Sequence, residues 1–196
     1  QWGKDCVNHF RGMFAFAIVD FKKQEVFIAR DHFGIKPIVY YQTSDCFAFS
    51  SEIQALKKVD GFLNVIDIQA LDQYLQLQYI PAPKTIFSKV NKLPPASRMC
   101  IDFKCRIRYL EKYWKLEFRP DNKIREEDWL KNLESVLMDS VKAHLVSDVP
   151  FGAFLSGGID SSLIVSYMSQ IMKFPVKTFS IGFEESEFNE LPYARN

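Results

Sequence analysis

Residues 151–162 read FGAFLSGGIDSS, and this stretch decides the fold of the second half of the chain. Phe151 to Leu155 is a short apolar strand, Ser156 to Ser162 is turn chemistry, and Leu163, Ile164, Tyr167, Met168 and Ile171 then recur at helical spacing. Pro175 marks the return, and Val176 to Ile181 reads as a second strand ending at Gly182. Strand, glycine-rich turn, helix and strand predict a parallel pair joined by a right-handed crossover. A helix of about 13 residues spans roughly 20 Å, and a strand of about six residues spans much the same. Leu155-Ser156 and Ile181-Gly182 then open on the carboxyl edge of the sheet, where open parallel sheets bind ligands.

The turn carries the chemistry. A helix beginning there has unpaired N–H groups and a partial positive charge at its start. Gly157 and Gly158 let the backbone approach a large anion, and Ser156, Ser161 and Ser162 add hydroxyl donors. Charge-assisted hydrogen bonds contribute about 1.5–3 kcal/mol each, so three or four make a phosphate cradle. A Walker A loop would carry a Lys that this one lacks, so charge compensation falls to Mg²⁺. Asp160 either orients that metal or caps the helix. The plain alternative is a helix start whose Ser and Asp only satisfy backbone groups. Two adjacent glycines followed by DSS favour the anion.

Upstream, Glu126 to Ser147 is an amphipathic helix with a stripe of Leu130, Leu133, Leu137, Val141 and Leu145, stopped by Pro150. Residues 116–124 are polar, contain Pro120 and read as a domain linker. The first 115 residues have a different period. Met13–Asp20, Gln24–Arg30, Lys36–Tyr41 and Cys46–Ser50 are short, aromatic and β-branched, and predict an antiparallel meander. FKKQ and Asp31-His32-Phe33-Gly34 are its turns, and Pro37 belongs at a strand start or edge. The unbroken run from Met13 to Val19 predicts burial on both faces. Ser51 is expected to cap a helix through Lys58. A second helix starts at Asp67, carries Ile68, Leu71 and Leu75 on one face with Tyr79 a further candidate, and ends at Pro81 and Pro83. Arg98–Phe103 and Arg106–Trp114 predict a hairpin. Arg30, Asp31 and Glu52 read as structural, a surface hairpin with an ordinary ion pair, the alternative being a place near the domain junction that lines or braces the active regions.

Composition bounds the rest. Of 196 residues, 47% are hydrophobic and 18 are Phe, which supplies a core and excludes overall disorder. Lys and Arg total 25 against 24 Asp and Glu, a balance that argues against a nucleic-acid binder. No apolar run reaches the ~18 residues of a membrane helix. Cys6, Cys46, Cys100 and Cys105 lack metal-ligand spacing and read as reduced, mostly buried thiols. No signal-peptide pattern is present, which points to the cytoplasm. The start at Gln1 and the helix-like end EFNELPYARN suggest an internal fragment.

Two sets of motifs carry a family resemblance. SDVPFGAFLSGGIDSS with TFSIGF downstream resembles the synthetase domain of glutamine-hydrolysing asparagine synthetases of the bacterial type. RGMFAFAIVD, ARDHFGIKPIVYY and FSSEIQAL resemble the later part of their glutaminase domain, and YIPAPKTIF and KLPP resemble the connecting region. The resemblance implies an antiparallel-sheet N-terminal-nucleophile amidotransferase domain (α+β) over residues 1–115 and a parallel-sheet ATP pyrophosphatase domain (α/β) over residues 125–196, both partial. It implies glutamine, aspartate and ATP with Mg²⁺ as substrates, a β-aspartyl-AMP intermediate, no membrane or nucleic-acid partner, and leaves a homo-oligomer open. Leu155, Ser156, Gly157, Gly158, Asp160, Ser161, Ser162, Ile181 and Gly182 would hold ATP, with Asp160 toward the metal. The family's nucleophile is an N-terminal Cys, whereas residue 1 here is Gln and Cys6 is internal. Segments of the NGEIYN and GSDE types are absent. The chain is therefore expected to run neither half-reaction alone. Related amidotransferases acting on another carboxylate, or a non-catalytic nucleotide-binding module, are the alternatives.

Overall fold

The computed structural model describes residues 1–185, 187 and 189–195. The chain divides into two compact units, Gln1–Phe118 and Arg119–Asn196.

The first unit holds two antiparallel sheets. Its strands are β1 (Ala15–Asp20), β2 (Glu25–Arg30), β3 (Val39–Gln42), β4 (Phe47–Ser50), β5 (Val90–Lys92), β6 (Ser97–Asp102) and β7 (Ile107–Lys112). They are ordered β1-β2-β6-β7 in one sheet and β4-β3-β5 in the other. The expected single meander is thus two hairpins in separate sheets. The cause lies in the connection from Arg30 to Ile38. The Arg30 guanidinium donates to the carbonyls of Lys36 (2.8 Å), Leu93 (2.6 Å) and Gly34. The Asp31 carboxylate accepts the amides of Phe14 (3.3 Å), Phe33 (3.2 Å), Ile35 (2.9 Å) and Lys36 (2.9 Å). These bonds fold the chain off the end of β2 and hand it to the second sheet. Gly34 makes the turn at φ +67°, and a Cβ there would lie 2.9 Å from Pro95 and 3.0 Å from Arg30. The structural reading of Arg30 and Asp31 holds, but not as a surface ion pair, because both side chains bind backbone groups, most of them part-buried. Glu52 contributes only its carbonyl, which accepts the Ser50 hydroxyl at 2.5 Å.

Alternation along β3 gives each sheet face its own core. Ile38 and Tyr40 pack with Ile28, Leu93, Met99 and Ile101. Val39 and Tyr41 pack with Leu56 and Val90. β6, which lies between β2 and β7, is buried throughout. The predicted 98–114 hairpin is present as β6–β7, with a bulge between Cys100 and Ile101. Asp20 shapes the FKKQ turn by accepting the amides of Lys22 (2.9 Å) and Lys23 (3.0 Å).

Burial differs from expectation in several places. The Met13–Val19 run is not covered on both faces: β1 is an edge strand, and Ile18 is 52% and Val19 45% exposed. The helix expected over residues 51–58 is one turn, α1 (Ile53–Leu56), and Ser51 does not cap it. Asp67 does cap α2 (Ile68–Leu77), accepting from the amides of Gln69 and Ala70. That helix stops at Gln78, whose left-handed φ of 61° reverses the chain before either proline. Its buried residue is Ala70, whereas Ile68, Leu75 and Tyr79 are exposed. Of the cysteines only Cys100 is buried.

The second unit contains α3 (Glu126–His144), β8 (Ala153–Phe154), α4 (Ile159–Ile171), β9 (Thr178–Phe179) and α5 (Leu191–Ala194). Glu126, Glu127 and Asp128 open α3, and Lys142 and His144 close it, each complementing the helix dipole. Its core is Val141, Tyr167 and Met168, with Leu137, Leu145, Phe151 and Ala153 packed around them. Only the C-terminal half of the predicted stripe is used, since Leu130 and Leu133 are exposed. The helix ends at His144, three residues short of expectation. β8 and β9 pair in parallel, Ala153 with Thr178 and Phe154 with Phe179. Each is two residues long rather than five or six, and both phenylalanines are exposed. A two-stranded ladder has free edges and lacks the layers that bury parallel sheets on both faces. Part of the C-terminal EFNELPYARN segment, at Phe188 and Asn196, lies outside the described residues.

The Arg30–Asp31 turn sets a prediction. Burial works to raise the Asp31 carboxyl, but amide donation from Lys36, Ile35, Phe14 and Phe33 outweighs it and holds the group below its ordinary value. A depressed carboxylate adds stability that is fully present above its unfolded pKa of about 3.9 and is lost as pH falls through the folded value. Asp31→Asn is expected to cost about 2 kcal/mol or more at pH 7, and less near pH 3. Urea unfolding at both pH values measures this, and an equal penalty at each contradicts it.

Candidate phosphate-binding loop

The loop between β8 and α4 is shaped by its two glycines in different ways. Gly157 has φ +80°, and a Cβ there would stand 2.4 Å from the Tyr193 carbonyl carbon and 2.7 Å from the Ala194 nitrogen. Glycine is thus required by conformation and by the approach of α5. Gly158 is extended (φ −73°, ψ 162°) at the N-cap of α4, and a Cβ there would meet only the Ser156 hydroxyl at 3.4 Å. One side of the loop is closed by α5 and the Gly158 side is open.

The serines do not all face outward. The Ser156 and Ser161 hydroxyls lie 3.0 Å apart, and Ser161 also donates to the Gly158 carbonyl at 3.2 Å. The amides of Ser156 and Gly158 donate to the Ser161 and Ser156 hydroxyls respectively, each at 3.3 Å. Ser156 and Ser161, expected as donors to an anion, instead brace the loop. The first helical bond runs from the Ser162 amide to the Gly158 carbonyl at 3.0 Å. The amides of Ile159, Asp160 and Ser161 come before it and have no partner within the helix. Ile159 is 87% exposed, and Asp160 and Ser162 are exposed beside it.

Asp160 lies in the first turn and not at the N-cap, which is Gly158, so its plain structural role is to complement the helix dipole. A carboxylate beside open amides repels a phosphate unless a divalent cation arrives with it. One exposed carboxylate suits Mg²⁺ delivered on a triphosphate, because that ion keeps waters and takes most of its other ligands from the phosphates. Among the described residues no group of three or more His, Cys, Asp or Glu could hold a metal by itself.

The remaining predicted residues meet at the strand ends. The Leu155 amide donates to the Phe179 carbonyl at 2.9 Å, and the Ser180 hydroxyl donates to the Leu155 carbonyl at 2.6 Å. Leu155 therefore lies beside the strand that leads into Ile181, which is exposed. Gly182 does not face open space: a Cβ there would lie 2.4 Å from Leu191 Cδ1. The part played by α5 was missed in the sequence. Its signal was Pro192 in a helical first turn, with Asn189 before it accepting the Leu191 amide at 3.2 Å.

A family model described as glutamine amidotransferase domain matches residues 1–114. The chain belongs to that family. A second model, described as asparagine synthase, matches residues 132–196 of this amidotransferase-family chain. The chain is 38% identical over 195 residues to asparagine synthetase [glutamine-hydrolyzing] 1 of Bacillus subtilis, covering 100% of this chain and 30% of that relative. It is 40% identical over 200 residues to putative asparagine synthetase [glutamine-hydrolyzing] 2 of Methanocaldococcus jannaschii, covering 98% of this chain and 38% of the relative. Amidase chry2 of Gibberella zeae is 31% identical over 181 residues, covering 88% and 26%. The resemblance read from the motifs is thus borne out along the chain, which spans about a third of the length of the curated synthetases it matches (30% and 38%). No described helix is long and apolar enough to cross a membrane.

The two glycines should respond differently to a methyl group. Gly157→Ala is expected to lower stability by about 1–3 kcal/mol, and Gly158→Ala by no more than about 1 kcal/mol. Thermal or urea unfolding of the two variants checks the order, and a larger penalty at Gly158 contradicts it.

Proposed function

We propose that Ser156–Ser162 grips the β- and γ-phosphates of ATP and that the protein works as a glutamine-hydrolysing asparagine synthetase. On this reading the aspartate β-carboxylate attacks the α-phosphorus of ATP, pyrophosphate leaves, and ammonia drawn from glutamine displaces AMP from the β-aspartyl carbon. The open amides of Ile159, Asp160 and Ser161 face the phosphates, Asp160 meets the accompanying Mg²⁺, and Leu155, Ile181 and Gly182 flank the nucleotide. Residues 1–115 act as glutaminase-side scaffold, 116–124 as linker, and 125–196 as the start of a parallel-sheet ATP pyrophosphatase domain. The free thiols suit a reducing cytoplasm.

One observation carries this reading: the amides of Ile159, Asp160 and Ser161 precede the first helical bond and have no partner within the helix, with the exposed Asp160 carboxylate among them. Support also comes from relatives named asparagine synthetase in both a bacterium and Methanocaldococcus jannaschii.

The full-length gene product is the material for the test. Pyrophosphate release is expected to require ATP–Mg²⁺ and aspartate, and to fall at least tenfold in Gly158→Val, whose branched side chain fills the open side. Release with another carboxylic acid but not aspartate replaces the acceptor and leaves the loop. No release with any acid, together with no ATP binding, overturns the proposal.

A further inference from the structure

Cys46 and Cys105 occupy two turns that belong to different sheets and meet in space. Cys46 closes the β3–β4 connection, where its amide donates to the Thr43 hydroxyl at 3.1 Å and its carbonyl accepts the Thr43 amide at 2.9 Å. Cys105 lies in the β6–β7 connection, where its amide donates to the Asp102 carbonyl at 2.9 Å. The Cys105 thiol donates to the Asp45 carbonyl at 3.6 Å, and the Gln42 side-chain amide donates to the Cys105 carbonyl at 3.4 Å. The Asp45 carbonyl oxygen is held about 2.8 Å from the Cys46 Cα by the planar peptide unit. The Cys105 sulfur is therefore within about 6.5 Å of that Cα, which places the two cysteines in touching turns and leaves side-chain rotation to close the remaining gap to an S–S bond.

Two further observations single out this pair. Cys105 holds φ +61°, a left-handed turn position that favours Gly or Asn over a cysteine. Both thiols are partly exposed, whereas Cys100 is buried with its thiol on Glu25. Burial, followed by Cys105 and Asp45, pushes the Cys46 thiol above its ordinary value.

We propose that Cys46 and Cys105 form a reversible disulfide that staples the β4-β3-β5 sheet to the β1-β2-β6-β7 sheet. The oxidant is a low-molecular-weight disulfide such as oxidised glutathione. One cysteine, as thiolate, attacks a glutathione sulfur, forms a mixed disulfide and releases one reduced glutathione. The second cysteine thiolate attacks the protein-side sulfur, closes the Cys46–Cys105 bond and releases the other. Two protein thiols and one glutathione disulfide thus become one protein disulfide and two glutathione thiols.

The test is oxidation of the whole chain with oxidised glutathione, followed by peptide mapping without reduction. A peptide linking Cys46 to Cys105 is expected, absent in both Cys46→Ser and Cys105→Ser. The unfolding midpoint should rise by about 5 °C or more and return with dithiothreitol, because the closed loop is long. Glutathione adducts alone, links through Cys6 or Cys100 in place of this one, or a link that leaves the midpoint unchanged or lowered overturns the proposal. Reduced-state unfolding of both serine variants shows whether each is folded before it is scored.

Discussion

The turn after β2 is the constraint on which the first unit depends. Arg30 and Asp31 are adjacent, yet their side chains serve different stretches of backbone. Arg30 reaches the carbonyl of Leu93, 63 residues away, and Asp31 gathers amides from both sides of the turn. A carboxylate accepting four amides and a guanidinium donating to three carbonyls replace the hydrogen bonds that a continuing strand would have made. This lets β2 end and β3 begin in another sheet without leaving buried polar groups unpaired. Tyr113 adds its hydroxyl to the Arg30 carbonyl at 2.7 Å and closes the same junction from the end of β7. Both hydrophobic clusters of the unit then follow from the alternation of β3.

What was legible in the sequence was local. The Asp67 cap, the Asp20 turn, the β6–β7 hairpin and the start of α4 all depend on side chains bonding backbone a few residues away. What was not legible depended on distant partners. The number of sheets turned on Arg30 reaching Leu93. The exposure of Ile18 and Val19 turned on β1 being an edge, and that of Leu130 and Leu133 on how much of α3 has something to pack against. The candidate loop shows the same division. Its glycines, its helix start and its exposed Asp160 were readable from SGGIDSS. The closure of Gly157 by α5 was not, because α5 comes some 30 residues later, and the Ser156–Ser161 bond was missed although it is local.

Those differences sharpen the chemistry. Hydroxyls that brace a loop hold its amides in place before a ligand arrives, which lowers the ordering cost of binding. The donors left over are the helix-start amides and the Ser162 hydroxyl. Membership of the glutamine amidotransferase domain family rests on residues 1–114, and the asparagine synthase match covers residues 132–196.

The most direct test of the loop is an amide-resolved titration of the chain with pyrophosphate and Mg²⁺, followed by ¹H–¹⁵N NMR. The account predicts saturable shifts at Ile159, Asp160 and Ser161, weakened when Mg²⁺ is withheld. Amides at those three positions that stay still while pyrophosphate binds elsewhere, or does not bind, would contradict it.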